Sequence, residues 1–351
     1  MSMKKLLLSV FALAATLSCA ADKTTAIKNF NGVFTDLEQA APGDSVVLRL
    51  SGVKEDVAVA TLDENKLFTI AAEVQNEQYY TLYLNGRQFA EVITDAGDVT
   101  VSFDAETKRI KVEGSRYNDI LRAFGEKLSP LVSALYSATS EAEAEEIYQN
   151  LLQTIDNSVV ENCQNPTSVR MLNEYRRYGG DEARAAELFE LIDPKFEYLN
   201  AYQAIKRTSI GSDLLDLTLK NTDGVDVTLS DITKSGKWVL VDFWATWCGP
   251  CRGEIPHLVE AYAKYAEKGL EIYGVSFDRS GNEEGWKQFI QENNMTWINV
   301  WGTGSNGDWE AGEAYNVSSI PSNFLYSPEG KLVAKNLRGE DVDRILGEHI
   351  K

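Results

Sequence analysis

The segment Trp238-Val239-Leu240-Val241-Asp242-Phe243-Trp244-Ala245-Thr246-Trp247-Cys248-Gly249-Pro250-Cys251 decides how this chain is read. Its first half is an almost continuous apolar run, as for a central strand of a sheet covered on both faces. The strand leads straight into C-x-x-C, and a helix follows from about Pro250 to Lys268. The first cysteine therefore lies at a helix N-terminus, where unpaired N–H groups and the positive dipole end stabilise an anion. A thiolate placed there has a lowered pKa and is a good nucleophile near neutral pH. The two-residue spacer lets the second sulfur reach the first and close a small disulfide ring. Pro250 suits an early helical position, where its missing N–H costs nothing. Asp242, among Trp, Val, Leu and Phe, is expected to be buried with a raised pKa. That suits a group that takes and returns a proton near neutral pH.

Working outward, residues 210–351 have an α/β rhythm. Leu215–Leu219 and Val225–Leu229 flank Asn221-Thr222-Asp223-Gly224 as a hairpin. Leu270–Phe277 reads as a strand and Gly285–Asn293 as a helix. Asn323–Tyr326 and Lys331–Ala334 form a last hairpin across Ser327-Pro328-Glu329-Gly330, and Asp341–Ile350 is a closing helix. With Trp-Cys-Gly-Pro-Cys at its centre, this part resembles the thioredoxin superfamily. Pro256, five residues after Cys251, stands where that family kinks its active-site helix. Ile320-Pro321 stands where the family has a cis-proline beside the disulfide, and Asp242 matches its buried acid. The early hairpin, Phe243-Trp244-Ala245-Thr246-Trp247-Cys248 and Glu254 are closest to the exported TlpA/ResA-like branch, although Ser322 replaces the threonine common after the proline.

The resemblance implies a thioredoxin-like fold with a central mixed sheet and a thiol-disulfide oxidoreductase activity. Cys248 would attack a client disulfide and Cys251 would resolve the mixed disulfide, helped by Asp242 and Glu254. Trp247, Gly249, Pro250, Ile320 and Pro321 would shape the site and the client groove. Trp244 and Trp247 are most simply packing groups, and Arg252 a surface cation near the thiolate. The Gly-Pro pair resembles reducing members. That implies disulfide-bearing client proteins and a membrane thiol-reductant transporter of the CcdA or DsbD kind as electron source. No cofactor beyond the Cys248–Cys251 pair is implied. Two alternatives remain: a disulfide oxidase or isomerase, or a binding or scaffold protein in which the redox part is secondary. A zinc site needs about four ligands, and neither a second C-x-x-C nor a histidine pair exists; His257 is a lone helix residue. A peroxiredoxin would centre on one peroxidatic cysteine.

The remaining sequence predicts a multidomain chain. Met1–Ala21 has the charge–apolar–small order of a secretory signal, with Lys4 and Lys5 before Leu6–Leu17. Thr16-Leu17-Ser18-Cys19 resembles a lipobox, making Cys19 a candidate lipid attachment. The expected location is exported, in the periplasm or cell envelope. Residues 29–114 carry strand runs separated by turn residues, at Ser45–Leu50, Val57–Leu62, Lys66–Val74, Tyr79–Leu84, Phe89–Thr94, Val99–Phe103 and Arg109–Val112. They favour an antiparallel sheet or small sandwich, similar to the β-rich domains that precede exported thioredoxin-like domains. Residues 115–209 are helical, at Tyr117–Leu128, Glu141–Ile155, Ser168–Tyr178 and Ala183–Ile192, punctuated by Pro130, Pro166 and Pro194. Cys163 lies in this polar connector and is expected to be silent.

The 351 residues suffice for two or three domains. With 34 basic against 53 acidic side chains the net charge is −19. Such a surface repels phosphate and disfavours nucleic-acid binding. Four cysteines are too few for a disulfide scaffold.

Overall fold

The computed structural model describes residues 25–304, 309–317 and 319–351. Met1–Ala21, read above as a signal, and the candidate lipid attachment Cys19 lie outside the described residues.

The first unit packs two four-stranded sheets against each other. Its strands are β1 (Thr25–Val33), β2 (Ser45–Leu50), β3 (Asp56–Thr61), β4 (Leu67–Gln75), β5 (Tyr79–Leu84), β6 (Arg87–Ile93), β7 (Val99–Asp104) and β8 (Arg109–Glu113). One sheet has the order β4-β1-β7-β8 and the other β3-β2-β5-β6. Every pairing is antiparallel except β1 with β7, which is parallel. In β4 the alternation Phe68, Ile70, Ala72, Val74 faces inward, the period-2 pattern of a half-buried strand. β1 starts earlier than its polar sequence suggests, because buried Lys28 occupies an inward position and donates to Asn76 Oδ1.

The helical unit comprises α1 (Arg116–Ser137), α2 (Glu141–Glu161), α3 (Thr167–Arg177), α4 (Glu182–Leu191) and α5 (Asn200–Arg207). Ser115, Ser140 and Asp181 cap α1, α2 and α4 through their side chains, satisfying N–H groups that a helix start leaves free. Pro130 does not end a helix, as its sequence context implies; it lies inside α1, exposed on the outer face. Water can satisfy the carbonyl that the missing N–H leaves free on that face. α5 was not legible in the sequence. Tyr79 and Ile93 of the sandwich join the helical core, so the two units share apolar surface.

The third unit contains the hairpin β9 (Thr218–Lys220) and β10 (Asp226–Thr228), the short helix α6 (Leu229–Lys234), β11 (Trp238–Trp244), α7 (Gly249–Tyr265), β12 (Leu270–Ser276), α8 (Glu283–Glu292), β13 (Ile298–Trp301), α9 (Glu310–Ala314), β14 (Ser322–Tyr326), β15 (Leu332–Lys335) and α10 (Glu340–His349). Five strands form one mixed sheet in the order β13-β12-β11-β14-β15. β11 runs parallel to β12 and antiparallel to β14. Both β11 and β12 are buried almost throughout, which explains their unbroken apolar runs. Among the described residues no helix is long and apolar enough to cross a membrane.

Gly114 joins β8 to α1 at φ +88°, and a Cβ there would lie 2.2 Å from the Asp98 carbonyl oxygen. Left-handed backbone alone costs an L-residue about 1–2 kcal/mol. A Gly114→Ala chain is therefore expected to lose at least about 2 kcal/mol of stability once the overlap is added. Urea unfolding of the full chain, followed by circular dichroism, measures this.

Candidate active site

β11 delivers its C-terminal end to the turn Ala245-Thr246-Trp247, and Cys248 caps the helix that follows. The helix starts at Gly249 with Pro250 in its first turn. Cys248 and Cys251 are joined in a disulfide, and both are buried. The Cys251 backbone N–H donates to Cys248 Sγ at 3.2 Å. That N–H is one of the unpaired donors of a helix start, so it is in place to stabilise a thiolate on Cys248 after reduction. Gly249 and Pro250 are exposed, leaving the pair approachable from one side.

The Ile320–Pro321 peptide bond is cis. Cys248 Sγ lies 3.7 Å from the Ile320 carbonyl oxygen. In the disulfide the sulfur carries no proton, so this is a contact only; the reduced thiol could donate across it. Ile320, Pro321 and Ser322 are half-buried.

Asp242 is 5% exposed and lies opposite Asn323 in the β11–β14 register. Burial pushes its carboxyl up to about 7, opposed first by the Arg338 guanidinium, then by a hydrogen bond with Asn323; Glu254 adds a small upward push. Arg338 is fixed by donating to the Leu337 and Pro321 carbonyls. Glu254 is half-buried, and its Oε2 accepts the Gly339 N–H at 2.8 Å. Asp242, Glu254 and Arg338 thus form one charge cluster that touches the cis-proline segment through Arg338. Arg338 was not anticipated: a lone arginine after a strand carries no sequence signal.

Two further residues were missed. Asp278, fully buried after β12, accepts from the Thr246 N–H at 3.0 Å and from the Thr246 hydroxyl. It ties down the turn that carries Cys248. Trp309 stacks on Phe277 with centroids 4.3 Å apart and faces Trp247 at 6.4 Å. Trp247 departs from the packing part of its expectation. It is 54% exposed and presents a ring beside Cys248, whereas Trp244 is the packing residue. Arg252 is exposed and places its guanidinium over the Phe289 ring at 5.7 Å. His257 is exposed on α7, and no group of potential metal ligands occurs among the described residues. Cys163 is a free, half-buried cysteine of the helical unit.

Comparisons with known proteins bear on this part of the chain. Residues 210–335 match the AhpC/TSA family. The thiol-disulfide oxidoreductase ResA of Oceanobacillus iheyensis is 35% identical over 142 residues, spanning 39% of this chain and 70% of that protein. ResA of Geobacillus kaustophilus is 30% identical over 157 residues, spanning 44% and 85%. The crystal structure of the thioredoxin domain of a thiol-disulfide oxidoreductase from Bacteroides vulgatus is 36% identical. It covers 41% of this chain and 99% of its own, with a TM-score of 0.38.

The raised Asp242 pKa has a signed consequence. Folding favours the protonated carboxyl, so stability from this group is full below its ordinary pKa of about 4 and is lost as pH rises to about 7. Asp242→Asn is expected to be more stable than the parent above pH 7, by up to about 4 kcal/mol, and the gain should fade below pH 5. Denaturant melts at pH 5 and pH 8 check the sign.

Proposed function

Since this chain belongs to the ResA family of thiol-disulfide oxidoreductases, within the thioredoxin superfamily, we propose that it is exported and reduces disulfides in client proteins of the cell envelope. The observation that carries the reading is the cysteine pair at the start of α7, approachable on its exposed side and backed by a buried carboxyl. The Cys248 thiolate attacks one sulfur of a client disulfide. The client S–S bond breaks, a mixed disulfide forms, and the first client sulfur leaves as a thiolate that takes a proton from solvent. Asp242 then accepts the Cys251 proton, for which a pKa of about 7 suits it. The Cys251 thiolate attacks Cys248 Sγ, closes the ring and releases the second client thiol. Two electrons pass to the client for each ring closed. Glu254 and Arg338 set the field around Asp242, and Pro321 shapes the groove beside Cys248.

The signal-like residues Met1–Ala21 support export, and Cys19 supports a lipid anchor. Outside the cytoplasm the ring must be reopened by an external dithiol, so a membrane transporter of the CcdA or DsbD kind is the proposed electron source. Gly249-Pro250 supports the reducing direction, and the measured potential decides it. A value near about −270 mV supports the proposal, and one near about −120 mV indicates an oxidant.

Cys248→Ser is expected to abolish insulin reduction by the full chain, and Cys251→Ala to accumulate mixed disulfides visible on non-reducing gels. Asp242→Asn should slow release from the mixed disulfide by about a hundredfold at pH 7. Retained turnover in Cys248→Ser would sink the mechanism.

A further inference from the structure

Between the helical unit and the redox unit lies a cleft of about 1200 Å³. One wall is α3 and the turn after it, with Arg170, Arg176 and Arg177. The other holds Pro321, at the end of the loop before β14, and Lys335 of β15. The lining thus includes Pro321, and the carbonyl of its neighbour Ile320 lies 3.7 Å from Cys248 Sγ. Asn316 Nδ2 donates to Asn173 Oδ1 at 3.1 Å and bridges the two walls.

The charge of this cleft is opposite to that of the chain. Six cationic side chains line it against four carboxylates, whereas the whole sequence carries −19. Its floor is the most unusual part. The Arg176 side chain is nine-tenths buried, and its Nε and Nη1 have no hydrogen-bond partner. The Lys335 side chain is more buried still, with Nζ 2.9 Å from Glu182 Oε2. Arg176 Nε lies 3.8 Å from that same oxygen. Two buried cations thus share one carboxylate. Burial, and then Arg176, push the Lys335 amine down to about 8 even with Glu182 in contact. Buried charged donors without acceptors are costly, and such groups in native proteins commonly mark a missing partner.

We propose that this cleft docks the client, and that it selects an extended client segment carrying a carboxylate close to its disulfide. The proposal rests on the oxidoreductase reading and extends it to the substrate. A client Asp or Glu above this floor balances the cation that Glu182, shared between Arg176 and Lys335, leaves uncompensated. Arg170 and Arg177, each about half exposed on the rim, draw the segment in, because a cleft with low-dielectric walls concentrates the field of its charges. From there the segment passes Pro321 and presents its disulfide to Cys248. The helical unit becomes half of the substrate site.

The test uses the full chain, reduced beforehand, in single-turnover reactions with two cystine peptides. The peptides differ only in having Glu or Gln on both sides of the disulfide. The parent is expected to react with the Glu peptide about tenfold faster than with the Gln peptide, with the gap narrowing as salt is raised. The Arg170→Glu/Arg177→Glu chain, altered only on the exposed rim, should bring the ratio to one or below. Arg176→Gln should lower the ratio as well. A ratio near one in the parent overturns the proposal, and so does a parental ratio that survives the rim substitutions. Failure to reduce either peptide strikes instead at the oxidoreductase reading on which the proposal stands.

Discussion

The junction between β11 and α7 is the constraint on which the rest of the structure depends. A strand buried on both faces must end, and a helix must begin, within the three residues Ala245-Thr246-Trp247. A helix start leaves N–H groups without partners. Here one of them is met by a sulfur, Cys248 Sγ. The same junction needs a firm support beneath it. Asp278 supplies one by accepting both the backbone and the hydroxyl of Thr246, and Ser276 in turn donates to Asp278 at 2.8 Å. The parallel neighbour β12 therefore serves the site by ending beside it, although it contributes no cysteine.

A buried carboxyl under such a junction is costly, and the fold limits that cost without removing it. Arg338 offsets the negative charge of Asp242, yet Glu254 lies in the same cluster and draws on the same guanidinium. With full compensation Asp242 would titrate like a surface acid, out of range for the proposed proton transfer from a thiol near neutral pH. With none, it would stay protonated throughout. The intermediate balance depends on Asn323 and Arg338, which adjoin the cis-proline, so the residues around Pro321 also set the environment of Asp242 on β11.

The redox unit was legible because its signals are local. An apolar run, C-x-x-C and a proline in the first turn all report a strand–helix junction, and the elements around it fell within a few residues of their expected bounds. What escaped depends on long-range placement. Arg338 and Asp278 are ordinary residues in sequence, and become site residues only when strands far apart in the chain lie side by side. Of the two readings offered for Trp247, packing fails because the turn leaves its ring exposed, while a place on the surface beside the site stays open. β1 was masked by an inward lysine, and the continuation of α1 beyond Leu128 by a proline on its solvent face. The short β13 and α5 lack enough residues to show a period. Among the described residues three hydrophobic clusters form, and the helical one draws Tyr79 and Ile93 from the sandwich.

The contacts named here between the redox unit and the other two are of a different kind from the cores themselves. The redox unit meets the helical unit through Asn316 with Asn173 and Lys335 with Glu182, and it meets the sandwich through the exposed pair Lys54 and Glu310. Glu310 follows Trp309 directly, so the sandwich touches the rim of the aromatic surface beside Cys248. Polar contacts of this kind contribute little stability when exposed, but they fix direction well. A chain that needed only a dithiol could end with the third unit alone. In the proposed docking the helical unit supplies one wall of the cleft that includes Pro321. Selection among disulfides would come from that wall, because the attacking chemistry itself distinguishes few of them.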